Sequence, residues 1–250
     1  KHGEWRDVES ALRATRTAIE AARTAGRRIH ILHVSTAAEI DLIARHKDIV
    51  SCEVLPHHLT FAAPDCYRTH GALVQQNPPI REAHHREALW RGVMDGVVDV
   101  IGSDHGPHLL EEKAAPYPNK HAGMPGTQTL LPLLLDAVAR GRISLQHLVD
   151  LVCHGPARLF TLARKGRIAV GNDADLTLVD LAAKRRISNE MIASRAGWTA
   201  YDGMDVTGWP MATIVRGNTV MRDGAMIGRP IGQPALFQDA LPHSPLTAPA

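Results

Sequence analysis

Disulfide and zinc-knuckle chemistry is excluded first. The 250 residues hold only three cysteines, Cys52, Cys66 and Cys153, with no CxxC pair. An odd, widely spaced set builds no disulfide framework and indicates a reducing compartment with buried or inert thiols, so a cytoplasmic location is expected. Charge of one sign is also missing: 28 Lys and Arg stand against 26 Asp and Glu, a net charge of +2. Such a balance demands neither nucleic acid nor an anionic membrane, and the one basic run of three, Lys184-Arg185-Arg186, reads as solvated surface. No apolar run is long enough to span a bilayer. The N-terminus has no signal-peptide pattern and no initiator Met. It opens at Lys1 and runs almost at once into a helix, as expected of a chain that starts partway through a larger protein. Disorder is excluded as well, because 44% of the residues are hydrophobic and 22% charged, enough to bury a core.

Histidine is what the chain has in quantity, with fifteen residues. Neutral imidazole binds transition metals near pH 7, so only a few need converge to make a metal site. The run Val97-Val98-Asp99-Val100-Ile101-Gly102-Ser103-Asp104-His105-Gly106-Pro107-His108 shows how they could. Its first half is apolar and β-branched, as in a strand buried on both faces. Asp104, His105 and His108 then arrive where Gly106-Pro107 force a turn. An acid and two imidazoles at the carboxyl end of a buried strand is how parallel α/β enzymes present chemistry. A lone Asp-His would be only a capped polar turn, but the pattern recurs upstream.

Asp7 to Ala25 reads as a helix with Val8, Ala11, Leu12, Ile19 and Ala22 near one face, Thr15 interrupting the stripe, and Gly26 as its stop. Ile29 to Val34 is a short strand, and Thr36 with Glu39 has capping-box spacing for a helix to about His46. The next strand, Ile49 to Leu55, is broken by Pro56-His57-His58. Pro78 and Pro79 hold Gln76 to Arg81 extended, and a helix from about Glu82 to Asp95 precedes the strand described above. This alternation argues a parallel sheet with right-handed crossovers, whose strand tips, at His33, His57-His58 and Asp104-His105, share one rim. A loop rich in Gly and Pro through Ala122-Gly123-Met124-Pro125-Gly126 is expected to fold over that rim and leave backbone N–H groups free for a ligand. Helices follow at Thr127–Arg140 and from the N-cap Ser144 through Val152, with Gly155-Pro156 separating a last short helix that ends near Leu162. Beyond Gly166 the pattern becomes that of a separate antiparallel β module, with strands at 174–180, 212–216, 219–222 and 225–227 and a long loop from Ser194 to Pro210. From Gly232 the Pro- and Ala-rich tail is expected to be poorly ordered.

Four phrases stand in order: Ile31-Leu32-His33-Val34-Ser35, Leu55-Pro56-His57-His58-Leu59, Asn77-Pro78-Pro79-Ile80-Arg81 and Ser103-Asp104-His105-Gly106-Pro107-His108. Together with Gly123-Met124-Pro125-Gly126 and the terminal β module, from about His2 to Ile227, they resemble dihydroorotase of the amidohydrolase superfamily. Hydantoinase and allantoinase share the scaffold but match the third and fourth phrases less well. The resemblance implies an α/β chain forming part of a (β/α)8 TIM barrel over residues 1–162, an antiparallel β-sandwich module over 163–231 and a tail over 232–250. It implies hydrolysis of a cyclic amide, dihydroorotate to N-carbamoyl-aspartate in pyrimidine biosynthesis, with two zinc ions. His33 matches a zinc ligand. Asp104 matches the aspartate of the last barrel strand, both metal ligand and catalytic proton shuttle. Asn77 and His108 match residues that contact substrate, and Ala122 and Gly123 a backbone contact. His57, His58 and His105 are given supporting roles.

The family pattern also needs an early His-x-His strand, an Arg for the substrate carboxylate, a bridging acid or carboxylated Lys, and one more His. None is found here; His57-His58 and His84-His85 have the wrong spacing. The chain therefore reads as the C-terminal part of such an enzyme, with the last three barrel strands. His33 and Asp104 are two ligands where zinc needs three or four, so weak zinc binding and no turnover are expected of the chain alone. The missing half, a homo-oligomer or a transcarbamoylase are the partners the resemblance implies. The competing reading is a non-catalytic dihydroorotase-like scaffold for a transcarbamoylase.

Overall fold

The computed structural model describes residues 2–116 and 119–238. The order begins α1 (His2–Trp5), α2 (Val8–Ala25), β1 (Ile29–Ile31), α3 (Ala37–Ala44), β2 (Val50–Val54), α4 (Pro56–Thr60), α5 (Asp65–His70), α6 (Ala83–Met94) and β3 (Val100–Ile101). It continues with α7 (Leu110–Ala114), α8 (Leu130–Ala139), α9 (Leu145–Val149), α10 (Gly155–Leu159), β4 (Leu176–Arg186), β5 (Asp205–Val215), β6 (Asn218–Arg222) and β7 (Ala225–Met226). The strands make two sheets, a parallel one in the order β1-β2-β3 and an antiparallel one in the order β4-β5-β6-β7.

Local sequence explains the first layer. Asp7 caps α2 by accepting the Ser10 N–H at 2.7 Å, and Gly26 ends the helix in the left-handed region at φ 62°. The polar break in the apolar stripe has a cause: buried Thr15 donates its hydroxyl to Glu39 Oε1 at 2.8 Å. Glu39 in turn completes the capping box with Thr36 at the start of α3. On β2 the side chains alternate. Val50, Cys52 and Val54 join a core with Ile43, Leu89 and Val93, while Ser51 and Glu53 lie on the opposite face. Each such aliphatic side chain contributes about 1.5–3 kcal/mol on burial. Gly92 lets α6 approach α3, because a Cβ there would sit 2.9 Å from Ile40 Cδ1. Burial pushes the Cys52 thiol up to about 12 and the Cys66 thiol up to about 11, as suits inert thiols, whereas Cys153 is exposed.

Several expectations are corrected. Gly155-Pro156 does not separate two helices: a π turn over Asp150–His154 carries α9 into α10, and Pro156 follows directly on that widened turn. The segment expected to be a loop up to Pro210 becomes strand from Asp205 onward. The β module packs directly on the α/β part. Thr207 N–H donates to Asp136 Oδ1 of α8 at 3.0 Å, and Gly208, at φ 98°, passes so close that a Cβ would meet Leu135 Cβ at 2.6 Å. Tertiary packing thus holds the first half of β5 where its Gly, Trp and Asp content alone argues a loop. Phe61, Met124, Leu133, Ile187, Trp198 and Tyr201 form a second core beside the first. The four antiparallel strands make one sheet among the described residues. Of the expected tail, 239–250 lie outside the described residues. Its start is tied down: Ala163 N–H donates to the Leu236 carbonyl at 2.7 Å and Gln238 N–H to that of Thr161 at 2.8 Å.

Candidate active site

Because β1 and β3 both run parallel to β2, their carboxyl ends lie at one edge of the sheet. His33 follows β1 and Asp104 follows β3 at that edge, two strand spacings or about 10 Å across. Both residues are left-handed, at φ 40° and 42°. This conformation costs a non-glycine residue about 1–2 kcal/mol and tends to persist where function fixes it. Glu53 of β2 holds the first of them: its Oε1 accepts the His33 N–H at 3.3 Å, and its carbonyl accepts the Val34 N–H at 2.9 Å. Gly102 makes room for that carboxylate, since a Cβ there would stand 2.6 Å from Glu53 Oε2. On the far side of His33, Glu39 Oε2 accepts the Ser35 and Thr36 N–H groups at 3.3 and 3.1 Å.

His33 and Asn77 line one cleft of about 340 Å³, together with Asp7, Pro78, Pro79 and Arg81. Arg81, buried, donates to the Arg6 carbonyl at 2.6 Å and the Asp7 carbonyl at 3.3 Å, which seats the start of α2 against the cleft. Asp104 joins this wall through Gln76, whose buried side-chain amide donates to Asp104 Oδ2. Asn77 Oδ1 and Gln76 Oε1 are buried acceptors without a protein partner, the kind of group a ligand donor or a water satisfies.

His108 belongs to a second group, in the loop after β3. Its ring lies 4.7 Å from that of His121, and its carbonyl accepts the Trp198 indole N–H at 2.8 Å. Gly123, at φ 142°, passes so close that a Cβ would meet His108 Cδ2 at 2.9 Å. The expected free N–H groups of this loop are corrected in part. Gly123 N–H donates to the Gln75 carbonyl at 2.9 Å, and its own carbonyl accepts from Lys113 Nζ at 2.8 Å. The Gly123 N–H is therefore not free for a ligand, and the neighbouring Ala122 is half-buried.

The other histidines are built into the walls. His57 and His58 are fully buried, with rings 4.5 Å apart, and His58 Nε2 donates to the Pro78 carbonyl at 3.0 Å. Burial pushes His58 down to about 4 and His57 well below the usual imidazole value, with neighbouring imidazoles adding to the effect. His105 Nδ1 accepts the Gly126 N–H at 3.0 Å. It also lines a further cavity of about 790 Å³, walled by Pro125, Met191, Trp209 and Met221.

An imidazole and a carboxylate facing one rim are both donors that zinc accepts, so His33 and Asp104 fit part of a zinc site. Among the described residues no group of three His, Cys, Asp or Glu could hold a metal ion. The sequence pointed to His33, Asn77, Asp104 and His108 but missed Glu53, Gln76, Arg81 and Lys113. Gln76 and Arg81 stand inside or beside the Asn77 phrase, the one signal available. Glu53 and Lys113 carry none, because each acts on backbone distant in sequence.

Against this geometry, the model of the amidohydrolase family matches residues 4–220. The chain belongs to the amidohydrolase family. Within it the chain is similar to curated dihydroorotases: 41% identical over 216 residues to that of Halobacterium salinarum, covering 86% of this chain and 50% of the relative. It is 40% identical over 223 residues to that of Pyrococcus furiosus, covering 89% and 52%. Solved structures with the same fold include L-hydantoinase from Arthrobacter aurescens, at TM-score 0.82 and 34% identity over 87% of this chain and 50% of that one. Dihydropyrimidinase from Brevibacillus agri superposes at TM-score 0.86 and 29% identity over 91% and 52%. The chain spans about half the length of the curated relatives it matches.

Proposed function

We propose that this chain supplies one side of the active site of a dihydroorotase-type cyclic amidohydrolase, with His33 a ligand of a zinc pair and Asp104 both ligand and proton shuttle. The observation that carries the reading is the placement of His33 and Asp104, both left-handed, at the carboxyl ends of the two outer strands of one parallel sheet. The named dihydroorotase relatives favour that substrate over the hydantoins of the structural neighbours.

Zinc would lower the pKa of the attacking water and polarise the ring carbonyl. The chain's own residues do the rest. Gln76 Nε2 donates to Asp104 Oδ2 and so orients the carboxylate, which takes a proton from water and returns it to the ring nitrogen as the C–N bond breaks. Asn77 and His108 bind the substrate carboxylate and ring amide, and Ala122 and Gly123 close over it. The remaining zinc ligands come from polypeptide outside these 250 residues, which completes a TIM barrel of which residues 1–162 are part and beside which residues 163–231 form a β-sandwich module. A homo-oligomer or a transcarbamoylase is the further partner this reading allows, in the cytoplasm.

Metal analysis and a dihydroorotate assay test it. The chain alone should hold less than stoichiometric zinc and show no turnover. Joined to the barrel half that carries the His-x-His strand, it should hold two zinc ions and turn over, and H33A and D104N should lose activity by about a thousandfold or more. Tight stoichiometric zinc with turnover by the isolated chain would overturn the proposal. The scaffold reading gains if the coding sequence upstream of Lys1 holds only a degenerate His-x-His.

A further inference from the structure

Among the described residues of the loop that follows β3, Lys113 is a buried cation. It sits on α7 with 1% of its surface exposed. Its Nζ donates to three backbone carbonyls, Gly123 at 2.8 Å, Gln75 at 3.0 Å and His121 at 3.1 Å. An ammonium has three protons to give, and all three are placed. Its fourth neighbour is the ring of Trp198, 5.8 Å from Nζ to the centroid, the same indole that donates to the His108 carbonyl. With every proton committed and no water-facing surface, Lys113 is neither nucleophile nor general acid.

What it joins is more telling. Gln75 precedes Gln76, which holds Asp104, and Asn77, which lines the cleft. His121 stacks beside His108, and Gly123 packs against the His108 ring while its N–H returns to the Gln75 carbonyl. One point charge thus gathers the strand-like segment bearing Asn77 and the loop bearing His108, Ala122 and Gly123, some 38 residues from Gln75 and 10 from Gly123 along the chain. Removing it leaves the Gly123 and His121 carbonyls without their lysine donor and the Gln75 carbonyl with only the Gly123 N–H, so the loop carbonyls then gain by turning to water.

We infer that Lys113 is a positioning residue, whose ammonium locks the loop segments 105–116 and 119–126 against Gln75 so that Asn77 and His108 face a ligand together. The inference rests on the proposed hydrolase site for its effect on substrate, but not for its effect on the loop.

Amide hydrogen exchange on this chain reads the loop directly. In K113M, which keeps the side-chain volume, and in K113A, the Gly106 and Gly123 amides should exchange about tenfold faster or more, while those of Ile29 and Val34, bonded within the sheet region, stay unchanged. Methylammonium chloride should slow the exchange again in K113A by refilling the carbonyl cage, and tetramethylammonium, which has no N–H, should not. In the protein with the whole barrel, K113M should raise KM about tenfold with kcat within about threefold and zinc content unchanged. Unchanged loop exchange in both variants would overturn the inference, as would equal acceleration across the sheet, or loss of the whole fold in both, since either makes Lys113 a general stabiliser. Faster loop exchange in a whole-barrel protein with no dihydroorotate turnover would instead refute the hydrolase reading and leave the role of Lys113 standing.

Discussion

Glu39→Ala is the perturbation that tests most directly how the rim is held. The Glu39 carboxylate, 5% exposed, accepts the hydroxyls of Thr15 and Thr36 at 2.8 Å each and the N–H groups of Thr36 and Ser35 at 3.1 and 3.3 Å. It therefore ties α2 to the start of α3 and fixes the turn immediately after His33. Hydrogen bonds to a carboxylate are worth about 1.5–3 kcal/mol when one is deleted, and buried donors left unpaired add about 1–3 kcal/mol. The four share a single acceptor group and do not sum, so E39A should cost about 3–4 kcal/mol in all. With an m-value of about 2 kcal/mol/M, the urea midpoint should fall by about 1.5–2 M. E39Q keeps the volume and one acceptor oxygen and should cost about half as much, and T15V, which removes one donor, about 1 kcal/mol. Equilibrium urea unfolding followed by Trp fluorescence reads all three. A cost for E39A below about 1 kcal/mol, or equal to that of T15V, would refute the view that this carboxylate organises the rim.

Acidification should destabilise the chain through its buried imidazoles. His58 is held down to about 4 by burial, whereas an unfolded histidine titrates near 6.5. Between those values the unfolded state binds a proton that the folded state refuses, so stability is full above about pH 6.5 and is lost as pH falls toward 4. His58 alone predicts about 2 kcal/mol less stability at pH 5 than at pH 7, and a urea series in which H58N does not flatten that slope would contradict it. Gly123→Ala should raise loop exchange and KM about tenfold or more, because its Cβ would press on the His108 ring 2.9 Å away at φ 142°; retained wild-type KM would count against the loop's role. Gly208→Ala should cost about 2–3 kcal/mol in thermal or urea unfolding, since a Cβ 2.6 Å from that of Leu135 pries β5 off α8; a neutral result would mean the two do not pack as one unit.

What the sequence settled by itself was local and periodic. The cap at Thr36 and Glu39, the N-cap at Ser144 and the stop at Gly26 are readable because a few adjacent residues satisfy or leave open a helix end. The parallel order of β1, β2 and β3, and with it the common edge of His33 and Asp104, follows from alternating strand and helix patterns, since crossover connections have one hand. Tertiary structure alone decided the rest. Thr15 is a flaw in an apolar stripe by sequence and meets Glu39 in the fold, Asp205 to Pro210 has the composition of a loop but gains the surface of α8, and Lys113 is enclosed by three carbonyls that no sequence pattern links to it. In each case the deciding energy comes from a group far along the chain, which hydrophobic period and turn chemistry cannot register, because they describe only what neighbours in sequence do to one another.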